Sequence, residues 1–495
     1  AHHPVRSLST LSAHSVQCSL PPSLSLSAVM TGVTSEQISS YRAAFSADPS
    51  ARIAQNAVCN NAIDDLVLNR EVVRSMETGK SAFSTQLDSW PVTNQKSSGR
   101  CWLFAALNLF RPATMKLLNL KDFEFSQTHI HFWDKMERAN CLLQAAIDTA
   151  DRDWDDRTLC YLLSDPIGDG GQWNMAMNLV RKHGLVPKAA FPETHSSGAT
   201  MPMNNTLKDV LRSGACELRS ILQGGQGGEG GGSEESRMCA ALSHKQALCQ
   251  SVWRILCIHL GTPPETFEYC YTDKDGKYVR LADLTPQLFA SRYVQTQWEQ
   301  YVCLVHDPRN PYMCTYTVDF LQNVAGGPPV VYLNVPIDEL KRLTMEQIVT
   351  HKTPVWMGCD VGKQLNRKLG IWDLQVHQRE LLYNVTYGMC KADRLRYRQT
   401  MMTHAMLFTG VDVSEEGRPT RWRVENSWGD SGGVKGYYTM NDCWFDEHMF
   451  EIAAPRSSLT PEMLAAYDSC TPIVLPAWDP MGSLARGEAL LTEQC

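Results

Sequence analysis

The sequence predicts an α+β fold, and three stretches carry that prediction. Residues 94–110, NQKSSGRCWLFAALNLF, pass from a polar, glycine-containing turn into a run rich in the helix formers Leu103, Ala105, Ala106, Leu107 and Leu109. Residues 403–411, THAMLFTGV, form a continuous apolar run of strand length with His404 at its start. Residues 422–428, WRVENSW, set Trp422, Val424 and Asn426 on one face of a second strand that Gly429 ends. If the two strands are neighbours, Asn426 comes near His404.

The chain has 495 residues, and at roughly 150 residues per domain about three structural units are expected. Apolar residues make up 43% and charged residues 20%, which excludes wholesale disorder, collagen and a coiled coil. No apolar run approaches the roughly 18 residues of a membrane helix, so no membrane association is expected. The net charge of −7 repels phosphate polymers, so nucleic acid is not an expected partner. Seventeen cysteines are an odd number, scattered and without a Cys-x-x-Cys pair. That pattern suits reduced thiols and lacks zinc-ligand spacing, so neither a metal nor a cofactor is expected.

Taken in order, residues 1–29 are rich in Ser and Pro and hold no Asp or Glu. They read as a disordered extension, with a targeting segment as the alternative. Helix-like spacing starts at Thr34 with Glu36 and Ile38, and Met30 just before it is a candidate alternative start. Residues 224–233, GGQGGEGGGS, read as a flexible surface loop inside a domain. They are not followed by the Lys and Ser or Thr of a phosphate loop.

The chemistry begins at Cys101. A thiol at a helix start sees the positive end of the helix dipole, which favours the thiolate and lowers the pKa. Of the seventeen cysteines, Cys101 is the one placed for nucleophilic work. A cysteine nucleophile needs a base for its proton, and the base needs an orienter. His404 and Asn426 offer those parts.

Gln95, then Gly99-Arg100-Cys101-Trp102, then His404-Ala405, then Asn426-Ser427-Trp428-Gly429 occur in an order that resembles the papain-like cysteine peptidases. Within that superfamily the words TNQKSSGRCW, EFSQTHIHFWDK, DGGQW, GCDVGK, THAM, WRVENSWG and LPAWDPMG are similar to the bleomycin hydrolases, self-compartmentalising cytosolic aminopeptidases. These words run from residue 93 to residue 482.

The resemblance implies an N-terminal segment and helical lobe over 30–207 and a β-barrel-like lobe over 331–470. Between them it implies an inserted helical hook subdomain over 208–330, used for oligomer contacts, and after them a C-terminal arm over 471–495. Two departures from ordinary papain fit this branch. Ser98 stands where a disulfide cysteine is usual, as a reducing compartment requires. Cys101 and His404 lie 404 − 101 = 303 residues apart, against roughly 130–150 in papain-like enzymes.

The resemblance also implies roles. Cys101 attacks the carbonyl, His404 moves the proton, Asn426 holds the imidazole under Trp428, and Gln95 donates to the oxyanion. Gly170, Gly171, Trp428 and Ala485 border the substrate. Ala485 stands where the family's arm ends in a carboxylate that captures the substrate's free amine. Ten more residues, 486–495, follow it here. Either they are trimmed, or they occupy the cleft, or they are a frayed end. The implied protein is a cytoplasmic homohexamer acting on peptides with a free N-terminus, with bleomycin amide and homocysteine thiolactone among its substrates. The alternatives are a nucleic-acid-binding regulator and a catalytically silent hexameric scaffold.

Overall fold

The computed structural model describes residues 32–78, 83–224 and 233–485. The readings made for residues 1–29, for all but the two ends of the 224–233 loop, and for 486–495 lie outside the described residues. The described residues divide into two compact units, 32–66 with 382–384 and the remainder.

In the smaller unit the helix Ser35–Ala47 starts where the spacing at Thr34 placed it. Thr34 and Gln37 form a reciprocal capping box, each side chain accepting the other's backbone N–H, at 3.3 and 2.9 Å. Asp48 caps the next helix, Pro49–Val58, in which proline takes the first position, where no N–H is needed. Neither helix buries a residue.

The larger unit is built on one twelve-stranded mixed sheet. From one edge its strands are Ile473–Leu475, Cys314–Val318, Tyr332–Asn334, Tyr301–Val305, Met449–Pro455, Val355–Cys359, His404–Val413, Pro419–Glu425, Tyr437–Asn441, Ile371–Trp372 and Leu365–Asn366. Thr85–Gln86 adds to His404–Val413 from outside this path. His404–Val413 has its first eight residues buried, which is why it reads as a continuous apolar run instead of alternating. It pairs antiparallel with Val355–Cys359 on one side and Pro419–Glu425 on the other.

The helix Cys101–Leu118 begins at Cys101 as expected, packs against His404–Val413, and is buried along its first eleven residues. Its C-cap, Asn119, takes the left-handed conformation that ends many helices.

Three details differ from the sequence reading. The boundary expected at 207/208 falls inside one continuous helix, Met201–Leu222, because Met203, Leu207, Leu211 and Leu218 form an unbroken apolar stripe. That helix and Glu234–Leu260 pack on Gln127–Asp148 around a shared core. The strands Tyr301–Val305 and Cys314–Val318, expected inside the helical insertion, belong to the large sheet. The second strand also stops at Glu425 instead of reaching residue 428. Residues 426–429 leave the ladder and bond to the segment before Cys101: Gln95 N–H donates to Ser427 O at 2.8 Å and Gly429 N–H to Thr93 O at 3.1 Å.

Candidate active site

That exchange of partners draws the three chemical stretches together. Cys101 sits at the helix N-terminus, where Arg100 supplies no side-chain cap. The backbone N–H groups of Ala405, Trp102 and Cys101 itself face its thiol. His404 opens the neighbouring strand, and its Nε2 lies 2.9 Å from Asn426 Oδ1. Asn426 Oδ1 also accepts the Ser427 N–H at 2.7 Å, which fixes the amide with its oxygen toward the imidazole. Since that oxygen only accepts, Nε2 carries the hydrogen. Nδ1 is then the bare, basic nitrogen, and it is buried without a partner. Trp428 lies over the imidazole, with ring centroids 4.9 Å apart at 34°.

Gln95 is oriented from both ends of its amide. Its Oε1 accepts the Ser427 hydroxyl at 2.6 Å, and its Nε2 donates one hydrogen to Ser98 O at 2.5 Å. Among the described residues the second amide hydrogen has no acceptor.

The electrostatics correct one expectation. Burial pushes the Cys101 thiol up to about 12, outweighing the three N–H groups that lower it. Burial likewise takes His404 down to about 4, against the Asn426 hydrogen bond that raises it. Each charge alone is disfavoured in this enclosed site. A thiolate and an imidazolium formed together offset each other's burial.

The sequence model of the Peptidase C1-like family matches residues 32–482. The chain belongs to the Peptidase C1-like family. Bleomycin hydrolase of Mus musculus is 41% identical over 464 residues, 92% of this chain and 99% of that protein. Aminopeptidase C of Lactobacillus delbrueckii subsp. lactis is 38% identical over 457 residues, 92% of this chain and 98% of that protein. The crystal structure of PepW from Lactobacillus rhamnosis HN001 superposes with a TM-score of 0.85 at 38% identity, covering 91% of this chain and 99% of that one. The expected papain-like α+β peptidase fold is therefore the fold of this chain.

In this C1-like peptidase the loop before Cys101 is pinned by two ion pairs, each with a buried cation. Arg100 forks onto Glu193 at 3.0 and 2.8 Å, and its Nε donates to Ser98 Oγ at 2.9 Å. Lys135 meets Asp169 at 2.6 Å, and Asp169 accepts from Gly99 N–H, Thr200 and Asn204. The indole N–H of Trp102 donates to Asp169 O at 2.7 Å.

The glycine at 171 has a different reason from the one expected of a substrate cleft. A Cβ there would sit 2.5 Å from the Trp102 ring, so it is the indole beside Cys101 that requires a glycine. The carbonyl of Gly170 accepts from Arg138. The same guanidinium donates to Ala485 O at 3.4 Å, so the last described residue of the arm lies beside Gly170.

Sequence reasoning passed over Ser427, Asp169 and Arg138. Ser427 stood in the word that supplied Asn426, and Asp169 directly before the paired glycines. Arg138 carried no local signal. Among the described residues, no group of three His, Cys, Asp or Glu side chains is arranged to hold a metal, and every cysteine is free.

Proposed function

We propose that this cysteine peptidase is an aminopeptidase that removes N-terminal residues from peptides, with Cys101 as nucleophile. The observation that carries the aminopeptidase reading is how the arm is held. Arg309 pairs with Asp479 at 2.8 Å, Arg398 donates to Trp478 O, and Arg157 stacks 3.9 Å over the Trp478 ring. Gln172 and Tyr332 both donate to Met481 O at 3.3 Å, and Ser483 Oγ donates to Met402 O at 2.7 Å. In this reading the clasped arm lies along the substrate groove, where it would close the groove to a long peptide and leave room for a chain end.

The reaction follows from the site. Cys101 gives its proton to His404 Nδ1 and the thiolate attacks the carbonyl carbon. The Cys101 N–H and the free amide hydrogen of Gln95 bind the oxyanion, each such donor contributing roughly 3 kcal/mol to the transition state. The imidazolium, held by Asn426, protonates the leaving amine, and water then releases the acyl group by the same relay. Trp428 shields the His404–Asn426 pair. Gly170 and Ala485 border the amine end of the substrate.

The finer reading extends to the amide of bleomycin and to homocysteine thiolactone, each an acyl derivative with a free amine. The free cysteines fit a cytoplasmic protein. The exposed apolar side chains of Ile38, Tyr41 and Phe45, spaced along one helix, and of Leu381 and Tyr387 fit a chain covered by other copies in a homohexamer.

Cys101→Ala is the test. It should abolish turnover of aminoacyl reporters while the folded assembly persists, because it removes chemistry and little volume. Substantial residual turnover would overturn the assignment.

A further inference from the structure

Arg367 stands just after the short strand Leu365–Asn366, with its guanidinium 4.2 Å over the ring of Trp428. Trp428 is the ring that covers His404. Arg367 is exposed, and no carboxylate pairs with it among the described residues. An arginine seated over an indole is held in place by the ring while its exposed N–H groups stay free to take a carboxylate with two hydrogen bonds.

Its place in the reaction follows from the two ends of the site. The tip of the arm bonds to Arg138, Gln172, Tyr332 and Met402, whereas the side chains packed on Trp428 are His404, Tyr438 and Arg367; the aminopeptidase reading puts the amine end of the substrate with the arm. The leaving amine takes its proton from His404, so the residue that departs lies beside His404 and the indole over it. The positive charge of Arg367 reaches this ring, where it adds to the effect of burial in disfavouring the imidazolium.

We propose that Arg367 recognises a carboxylate on the leaving-group side of the cleaved bond. It belongs either to the C-terminus of a dipeptide or to an acidic side chain directly after that bond. The inference rests on the aminopeptidase reading and gives it a specificity: short acidic or dipeptide substrates.

The test uses the full chain with four substrates: Ala-p-nitroanilide, Ala-Ala, Ala-Ala-amide and Ala-Asp-amide. At low ionic strength the wild-type kcat/KM for Ala-Ala should exceed that for Ala-Ala-amide by at least about threefold, the scale of an exposed ion pair. The ratio should shrink in about 0.5 M salt, where exposed charges are screened. Arg367→Gln should bring it to near one with no salt dependence, and Arg367→Lys should keep part of it. The ratio of Ala-Asp-amide to Ala-Ala-amide reports the side-chain source separately, and a preference in either pair that Arg367→Gln removes supports the inference. With Ala-p-nitroanilide turnover present in the wild type, ratios left unchanged by Arg367→Gln, a parallel fall of all four substrates included, would overturn it. Absence of Ala-p-nitroanilide turnover in the wild type would instead overturn the aminopeptidase reading, and this inference with it.

Discussion

Asp169 meets Lys135 at 2.6 Å with both side chains buried, and the same carboxylate accepts the Gly99 N–H at 3.2 Å, two residues before Cys101. The pair therefore sets where the helix that carries Cys101 begins. Lys135 also donates to Gly168 O at 2.8 Å, which holds the turn leading to Gly170 and Gly171.

Asp169→Asn should destabilise the fold by about 3–5 kcal/mol, because it leaves the Lys135 ammonium buried without its counter-charge. Urea unfolding with unchanged slope reads this directly. An unchanged midpoint would mean that Lys135 finds another partner or loses its proton at little cost.

The second ion pair gives the acid limb of stability. The Arg100 guanidinium and its hydrogen bonds outweigh burial and hold the Glu193 carboxyl down at about 2, from an ordinary value of 4.5. A carboxyl with a depressed folded-state pKa stabilises the fold above its unfolded pKa, and that contribution is lost as pH falls through the folded value. Stability should therefore decline between about pH 4.5 and pH 2, by about 3 kcal/mol from this group. Glu193→Gln should flatten that part of the profile. An identical acid limb in the variant would assign the transition to other carboxyls.

Little of this network was legible in the sequence, and the reason is physical. Cys101 and His404 could be read because each sits at the boundary of a local pattern, a helix start and the first residue of a buried strand. Asn426 could be read as a neighbour of His404, although its contact depends on the strand stopping at Glu425, which alternation alone did not predict. Asp169 draws partners from residues 99, 135, 200 and 204, and no local periodicity links them. The same holds for the sheet, in which Ile473–Leu475 runs parallel to Cys314–Val318 although more than 150 residues separate them. The expected fall in the Cys101 pKa followed from the helix end alone. Burial, a property of the whole fold, reverses it.

Asn426→Ala should lower kcat by at least about tenfold, a part of the roughly 10²–10⁴ that positioned acid–base catalysis supplies. Without Oδ1 at 2.9 Å, nothing selects the tautomer that leaves Nδ1 of His404 basic. The KM for aminoacyl reporters should change less, because Asn426 is buried and its amide oxygen is committed to His404 and the Ser427 N–H. An effect confined to KM would make Asn426 a binding residue.

The last prediction concerns the arm. If a carboxylate at its end selects substrates with a free amine, that group must be placed to within about an ångström for productive orientation. Ala485 is held beside Gly170 by Arg138, and residues 486–495 follow it in the sequence. A chain ending at Ala485 would instead place a carboxylate within reach of the Arg138 guanidinium. Such a chain should cleave free-amine reporters faster than the full-length chain. A chain ending before Trp478 loses the Arg157 stack, the Gln172 and Tyr332 hydrogen bonds and the Ser483 contact. It should lose aminopeptidase action and gain cleavage of N-acetylated peptides, since the groove is then open along its length. The measurement is the ratio of activity on free-amine to N-acetylated reporters across the three chains. The same ratio in all three would mean that the arm does not set the exopeptidase preference, and the clasp formed by Arg157, Gln172, Tyr332 and Arg138 would then serve stability alone.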